Sequence, residues 1–431
     1  MVKLKIQNFG PIKSGFSQNN GFMEIMPVTV VIGNQATGKS TVAKLYSLFL
    51  WLEKAFVKGV YSESVFRKAD FLFLLANHKI DSYLKDDTVI EYVGEMYSFG
   101  YKNKRIVKPK CNGYLSSYHR AKIMYIPAER NILSVLSISD FEELNSVSDI
   151  LRIFHQRYET ALRTSDNTDF KLPVSDAVLH YNKQTGNISV SSENSSIPIE
   201  QSSSGIQSVA PLSVVSNYLS DLVQLDIMRK LKDLKIKEQK LLKSDLKKIS
   251  ESDSFKDSVD STFDNLLVSG KDNVDEKLKI IPYIETSLQY FFNTCFANIV
   301  EEPELSLFPS SQNEVLYELL KCKNKNKNKN NTLFITTHSP YFVSELSLCI
   351  KAYDLAEKGI LVKELNKILP ESSYISGKEC VFYETHSDGS ITRLKTYGAG
   401  MPSDDNYLNN YLEDSNKKFD RLLDLQEKNY D

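Results

Sequence analysis

The sequence predicts an α/β fold: a mixed sheet flanked by helices and interrupted by a helical, coiled-coil insertion. Three observations lead there. Val28 to Ile32 is a short apolar run that feeds a glycine loop, GNQATGKS at 33 to 40. From Thr41 the apolar residues recur at helical spacing, which places the loop between a strand and a helix N-terminus. Two more short apolar runs, Phe296 to Val300 and Leu333 to Thr336, end in acidic or polar residues and read as buried strands.

Taken in order, Leu4, Ile6 and Phe9 alternate with polar residues before a Gly10-Pro11 turn and predict a first strand. The stretch 62–112, with apolar residues clustered at Phe66 to Leu75, reads as a helical insertion. Ile123 to Ile126 is a short strand closed by Pro127-Ala128-Glu129-Arg130, followed by helix to about Arg163. Residues 166–196 are polar and strand-like, with Ile188 and Val190 in a hairpin. Ser202 to Gln207 then opens an apolar helix, Val209 to Leu225. Between Arg229 and Lys248 nine basic residues face three acids, with leucines at helical spacing. Such a basic amphipathic helix is a solvated coiled-coil face, or a surface for nucleic acid or an acidic partner. KCKNKNKNKNN at 321–331 reads as a polar loop. The last 90 or so residues hold a hairpin turning at Ser387-Asp388-Gly389 and a charged helix from about Asp405. The expected divisions are an N-terminal lobe at 1–215, the insertion at 216–290, a C-terminal lobe at 291–345 and an extension at 346–431.

Composition narrows the partners. With 53 basic and 55 acidic residues among 431, the formal net charge is −2, so no global field favours nucleic acid or an anionic membrane. Five cysteines without a CxxC pair argue against a disulfide framework or a zinc site, and fit a reducing cytoplasm. The start, MVKLKIQNFG, alternates and does not run apolar, and no segment is apolar enough to span a bilayer, so neither signal peptide nor membrane span is expected.

The chemistry lies in four short stretches. GNQATGKS fits G-x-x-x-x-G-K-[ST], in which backbone amides approach phosphates at a helix N-terminus. Gly33, Asn34, Gln35, Ala36, Thr37, Gly38, Lys39, Ser40 and Thr41 are therefore the expected ATP contacts, with Lys39 reaching the β and γ phosphates and Ser40 ligating Mg²⁺. NIVEEPE at 298–304 puts two carboxylates after an apolar strand, Glu301 as the metal-side acid and Glu302 as the base that activates water. Two glutamates at a strand end are common on any surface; beside a P-loop they acquire meaning. SSGIQ at 203–207 is a serine cap at a helix start, and Thr337-His338 supplies an imidazole after a short strand.

The order P-loop, SSGIQ, acidic strand end, histidine resembles the ABC-type ATPases, among them the SMC-like proteins. That resemblance implies that Ser204, Gly205 and Gln207 contact nucleotide held by an opposite subunit, and that His338 senses the γ-phosphate. LKIQNFGPI, YIPAERN at 125–131, EEPELSLFP at 301–309 and ITTHSP at 335–340 look closer to the overcoming-lysogenization-defect class and its anti-phage relatives. The pattern departs in three places. Glu301 stands where aspartate is usual, and more than 90 residues separate Gln207 from Glu301, so hydrolysis is expected to be slow. Glu129 and Arg130 lie where a Q-loop glutamine belongs without matching it. The tail offers only Glu384, Asp388, Asp404 and Asp405 as acids, a poor pattern for the TOPRIM nuclease of that class. The chain thus resembles the stand-alone ATPase of two-gene defence systems such as PARIS or Septu. This implies a homodimer or higher homo-oligomer, a separate nuclease effector and a phage trigger protein. The alternative is an SMC-like DNA repair or DNA-tethering ATPase.

Overall fold

In the computed structural model, residues 2–113, 118–134, 148–192, 195–223, 240, 243, 293–325 and 330–428 are described. The chain begins with β1 (Val2–Phe9), β2 (Gly15–Phe16), β3 (Met23–Ile25) and β4 (Val28–Gly33), then α1 (Lys39–Val57) and α2 (Lys68–Asn77). Three strands follow, β5 (Leu84–Val93), β6 (Tyr97–Lys102) and β7 (Arg105–Cys111), and then β8 (Ala121–Ile126) and a 3-10 turn, Ala128–Ser134. Helix α3 (Asp149–Thr164) precedes the short strands β9 (Asp169–Lys171), β10 (Val178–Tyr181), β11 (Ile188–Ser192) and β12 (Ser195–Pro198) and helix α4 (Ser204–Leu222). The C-terminal part holds β13 (Cys295–Glu301), α5 (Pro309–Asn324), β14 (Thr332–Thr337), α6 (Pro340–Glu357), β15 (Cys380–Thr385), β16 (Ser390–Arg393) and α7 (Tyr407–Lys428).

A seven-stranded mixed sheet, in the order β2-β16-β15-β4-β14-β13-β8, organises these elements. Its five strands from β15 to β8 are parallel, and β16 turns back antiparallel. Parallel strands covered on both faces carry apolar side chains in both directions, and these do. Val30, Ile32, Val300, Ile335 and Phe382 pack into one core cluster with α3, α4, α5 and α6, while Val31, Ile299, Phe334 and Val381 pack into another with α1. That second cluster is closed by an antiparallel sheet, β3-β1-β5-β6-β7, whose Leu4, Ile6, Ile90 and Tyr92 lie against α1. A four-stranded antiparallel sheet, β12-β11-β10-β9, joins the first cluster through Leu179 and Val190.

Three expectations change. The stretch 62–112 is helical only at α2 and a 3-10 turn, Asp81–Tyr83; most of the rest is the β5-β6-β7 meander, which completes the sheet begun by β1. The alternation in Leu84–Val93, with Thr88, Ile90 and Tyr92 buried, carries that signal, and the Phe66–Leu75 cluster masks it. Lys321–Asn324 belongs to α5, so the lysine-asparagine loop begins later than its composition suggests. The C-terminal hairpin is no appendage, because β15 pairs with β4 in parallel from Cys380↔Val28 to Thr385↔Gly33. The insertion at 216–290 enters the described residues chiefly as the end of α4, and the basic run 229–248 lies almost wholly outside them. Among the described residues no helix is long and apolar enough to cross a membrane.

Helix α1 is fastened to the antiparallel sheet by a buried acid. Glu53 accepts hydrogen bonds from the Tyr92 hydroxyl at 2.8 Å and from the backbone N–H groups of Met96 at 2.6 Å and Tyr97 at 3.0 Å. Gly94 leaves room for it: a Cβ there would fall 2.3 Å from Glu53 Oε1. Glu53→Ala strands three donors, two of them buried, and a loss of about 3 kcal/mol in urea-unfolding stability is expected. A loss below about 1 kcal/mol would mean that water replaces the carboxylate without cost.

Candidate active site

The parallel register brings the carboxyl ends of four strands together, the edge where open α/β sheets bind ligands. Thr337 pairs with Ile32, Glu301 with Thr336 and Thr385 with Gly33, so the loop after β4, the acidic end of β13 and the ends of β14 and β15 share one rim.

The glycine loop has the backbone that phosphate binding needs. Gly33 has φ 145° and Gly38 φ 105°, and a Cβ at Gly33 would fall 2.3 Å from Thr385 Oγ1. Gly38 is the N-cap residue of α1 and brings no capping side chain, which leaves the N–H groups of the first turn for an anion. Lys39 is buried across the loop, donating to the carbonyl oxygens of Gly33 at 3.1 Å and Asn34 at 2.8 Å. Burial pulls its ammonium down to about 8, against the attraction of Glu302, Glu304 and Glu301. Thr37 donates to Asn34 O at 2.7 Å and its hydroxyl lies 2.6 Å from that of Thr385. Asn34 also donates to the Tyr407 hydroxyl at 2.9 Å, so the first turn of α7 touches the loop. Gln35 and Ala36 are exposed, Ala36 at φ 58°; Ser40 is exposed and Thr41 buried.

Opposite the loop stands the acidic strand end. Glu301 is buried and bonded by the Tyr125 hydroxyl, with the Ala128 N–H at 3.4 Å. Burial pushes its carboxyl up, while hydrogen bonds from Tyr125 and Ser40 and the charge of Lys44 pull it back. Ser40 and Glu301 are thus neighbours, as a shared Mg²⁺ would require, and two oxygen donors of this kind suit a hard cation that keeps most of its waters. Glu302 adopts φ 42°, a left-handed backbone unusual for glutamate, and its carboxylate lies 3.3 Å from His338 Nε2. That histidine contact, more than any other, holds the Glu302 carboxyl below its usual range, so it is ionised at neutral pH and fit to orient a water. Glu304 accepts the His338 N–H at 2.6 Å, and burial pushes its carboxyl up.

The 203–207 stretch is placed differently. Ser203 caps α4, Ser204 is exposed, and Gly205 packs on the loop after β13, where a Cβ would fall 2.8 Å from Ser306 O. The Gln207 side-chain amide donates to the carbonyls of Ile199 at 3.3 Å, Glu200 at 3.0 Å and Ser202 at 3.0 Å. These bonds tie Gln207 to the loop before α4.

Sequence reasoning missed Tyr125, Thr385 and Tyr407, and left Arg130 unassigned. Arg130 is fully buried and donates to Pro127 O, Ser208 O, Glu301 O and Glu302 O. An arginine between a strand end and a helix in an otherwise apolar stretch was the available signal. The tail acids serve structure: Glu384 accepts the Tyr407 N–H, Asp388 accepts from Ser390, Asp404 from Tyr397 and Asp405 from Asn410. Among the described residues no three His, Cys, Asp or Glu side chains converge to hold a metal.

No family model matches the chain, and no curated protein does. Among solved structures it is similar to the SMC head domain from Thermotoga maritima, at 10% identity over 80% of this chain and 90% of that one, with a TM-score of 0.25.

Thr385 tests the contact between hairpin and loop. Its hydroxyl meets Thr37 and donates to Ile32 O at 3.2 Å, so Thr385→Val is expected to cost about 1 kcal/mol in urea unfolding. It should also raise the protection-free exchange of the loop amides 34–38, read by hydrogen exchange; unchanged exchange would show that the hairpin does not brace the loop.

Proposed function

We propose that this chain is an ATP-binding and ATP-hydrolysing ATPase of ABC type, working at a site shared between two copies. The observation that carries this reading is the convergence of Lys39, Ser40, Glu301 and the Glu302–His338 pair on one rim of the parallel sheet. Loop amides and Lys39 hold the phosphates, and Lys39 trades its loop carbonyls for phosphate oxygens. Ser40 and Glu301 hold Mg²⁺, which when bound supplies positive charge at the phosphate oxygens. Glu302 orients the attacking water, and His338 fixes the Glu302 carboxylate and donates toward the γ-phosphate. Ser204, exposed at the start of α4, and Gly205 present that helix end to nucleotide held by the other copy. Binding and hydrolysis then close and open the pair, an output that is conformational.

On the sequence resemblance we extend this reading to a sensor or regulator in an anti-phage defence complex. ATP state there restrains or releases a separate nuclease, and a phage component is the trigger.

Lys39→Ala should weaken ATP binding by about two orders of magnitude, measured by fluorescent-nucleotide titration, while thermal unfolding without nucleotide changes little. Glu302→Gln should bind Mg-ATP as the wild type does, hydrolyse it at least about a hundredfold more slowly, and accumulate as a dimer in gel filtration with ATP. Wild-type turnover in Glu302→Gln would remove Glu302 from the chemistry. For the cellular reading, the chain is expected to co-purify with a nuclease encoded beside it, and to exchange it on ATP addition. ATPase stimulation by DNA with no such partner would favour the DNA-tethering alternative.

A further inference from the structure

We infer that Arg130 is a positioning residue that couples the start of α4 to the Glu302 carboxylate. The inference rests on the ATPase reading above and concerns how the second copy controls the site.

Arg130 is a buried cation whose partners are carbonyl oxygens and not carboxylates: Nε donates to Ser208 O at 3.1 Å, Nη1 to Pro127 O at 3.3 Å and Glu301 O at 2.7 Å, and Nη2 to Glu302 O at 2.8 Å. Taking a charge out of water for such partners is costly, and apolar side chains of similar volume serve stability as well or better. Geometry gives the arginine its purpose. The planar fork reaches α4 with one edge and two consecutive carbonyls of the strand end with the other, a span no other side chain bridges. Of those carbonyls, Glu302 O belongs to the residue at φ 42°, and it also accepts the Leu305 N–H at 3.1 Å. Two donors on one oxygen hold the peptide in that left-handed turn, and the turn aims the carboxylate at His338.

The grip on α4 is double. Ser134, at the end of the same 3-10 turn as Arg130, donates to Gln207 O at 2.8 Å, next to the carbonyl that Arg130 takes. Two residues toward the N-terminus, Gly205 rests on Ser306 O, in the loop that continues from Glu302. Displacement of the exposed end of α4 by a second copy therefore pulls on the Glu302 backbone through a rigid guanidinium, with no movement of the glycine loop needed. Nucleotide can then bind to one copy alone, while engagement of α4 shifts the water-orienting carboxylate from the place it holds against His338.

The test measures kcat and KM for ATP, nucleotide affinity and thermal unfolding for wild type, Arg130→Lys and Lys39→Ala. A lysine keeps the charge but cannot span α4 and both carbonyls, so kcat should fall by about a hundredfold with KM and affinity within about threefold. In Arg130→Ala, millimolar guanidinium should restore part of the lost turnover. Arg130→Gln, which keeps two donors without the charge, takes the same assays if the lysine variant is insoluble. The coupling is overturned if Arg130→Lys turns over within about twofold of wild type, or if kcat, affinity and melting temperature fall together, the mark of a residue that only holds the fold. Lys39→Ala separates the two levels: if it binds ATP as wild type does, the nucleotide reading itself fails, whatever Arg130 does.

Discussion

The site depends on one constraint, the parallel register of β15, β4, β14 and β13. Each strand end contributes something different: Thr385, the glycine loop, Thr337 with His338, and Glu301 with Glu302. Side chains alternate between faces along a strand, so a slip of one residue in β13 would turn the Glu301 side chain from the α1 face to the opposite one. The register is fixed by the same alternation elsewhere in the strands, since Ile299 belongs to the α1 core and Val300 to the core of α3 to α6. Exchanging them would leave two clusters mismatched in volume at once. Asn298 adds a polar lock, its amide donating to Ser216 of α4 at 3.0 Å inside the apolar layer.

Buried charges follow the same logic on both faces of the sheet. Glu53 and Arg130 are each removed from water, and each is satisfied chiefly by backbone groups of a neighbouring element. Such groups add little net stability, yet breaking them leaves several buried polar atoms without partners, so they penalise every alternative docking of the elements they join. Glu53 sets α1 against the antiparallel sheet, and Arg130 sets α4 against β13. Between them they fix the two helices that begin at the glycine loop and at Ser204.

Most of the rim was legible in the sequence because its chemistry is local. A phosphate loop is a run of eight residues, and Glu301, Glu302 and His338 each follow a short apolar strand, so pattern and spacing suffice to find them. What stayed hidden is pairing between distant segments. The apolar run Cys380–Thr385 shows that a strand exists there, but nothing in it says that its neighbour is β4, some 350 positions earlier. Tyr407 on Asn34 is hidden for the same reason. Hidden likewise are the bonds by which the Gln207 amide ties down the loop before it. Residues 62–112 failed because a compact group of Phe and Leu outweighed the two-residue alternation of β5 beyond it.

On the proposed reading, electrostatics gives a second copy a part at this rim. Lys39 faces Glu301, Glu302 and Glu304, and all three attract it. Burial favours the neutral forms of Glu301 and Glu304, whereas the His338 contact keeps Glu302 charged. A triphosphate entering this ring meets one lysine, the dipole of α1 and whatever cation Ser40 and Glu301 retain, against at least one fixed carboxylate only a hydrogen bond away from the histidine. On the proposed reading, further positive potential comes from a second copy. Arg130 adds to it only from behind the strand end, where its guanidinium is bonded to carbonyls. On that reading the exposed start of α4 supplies it through its helix dipole, with the Ser203 side chain capping the Ile206 N–H. The start of α4 would then stand opposite the carboxylate that orients water, and join hydrolysis to assembly.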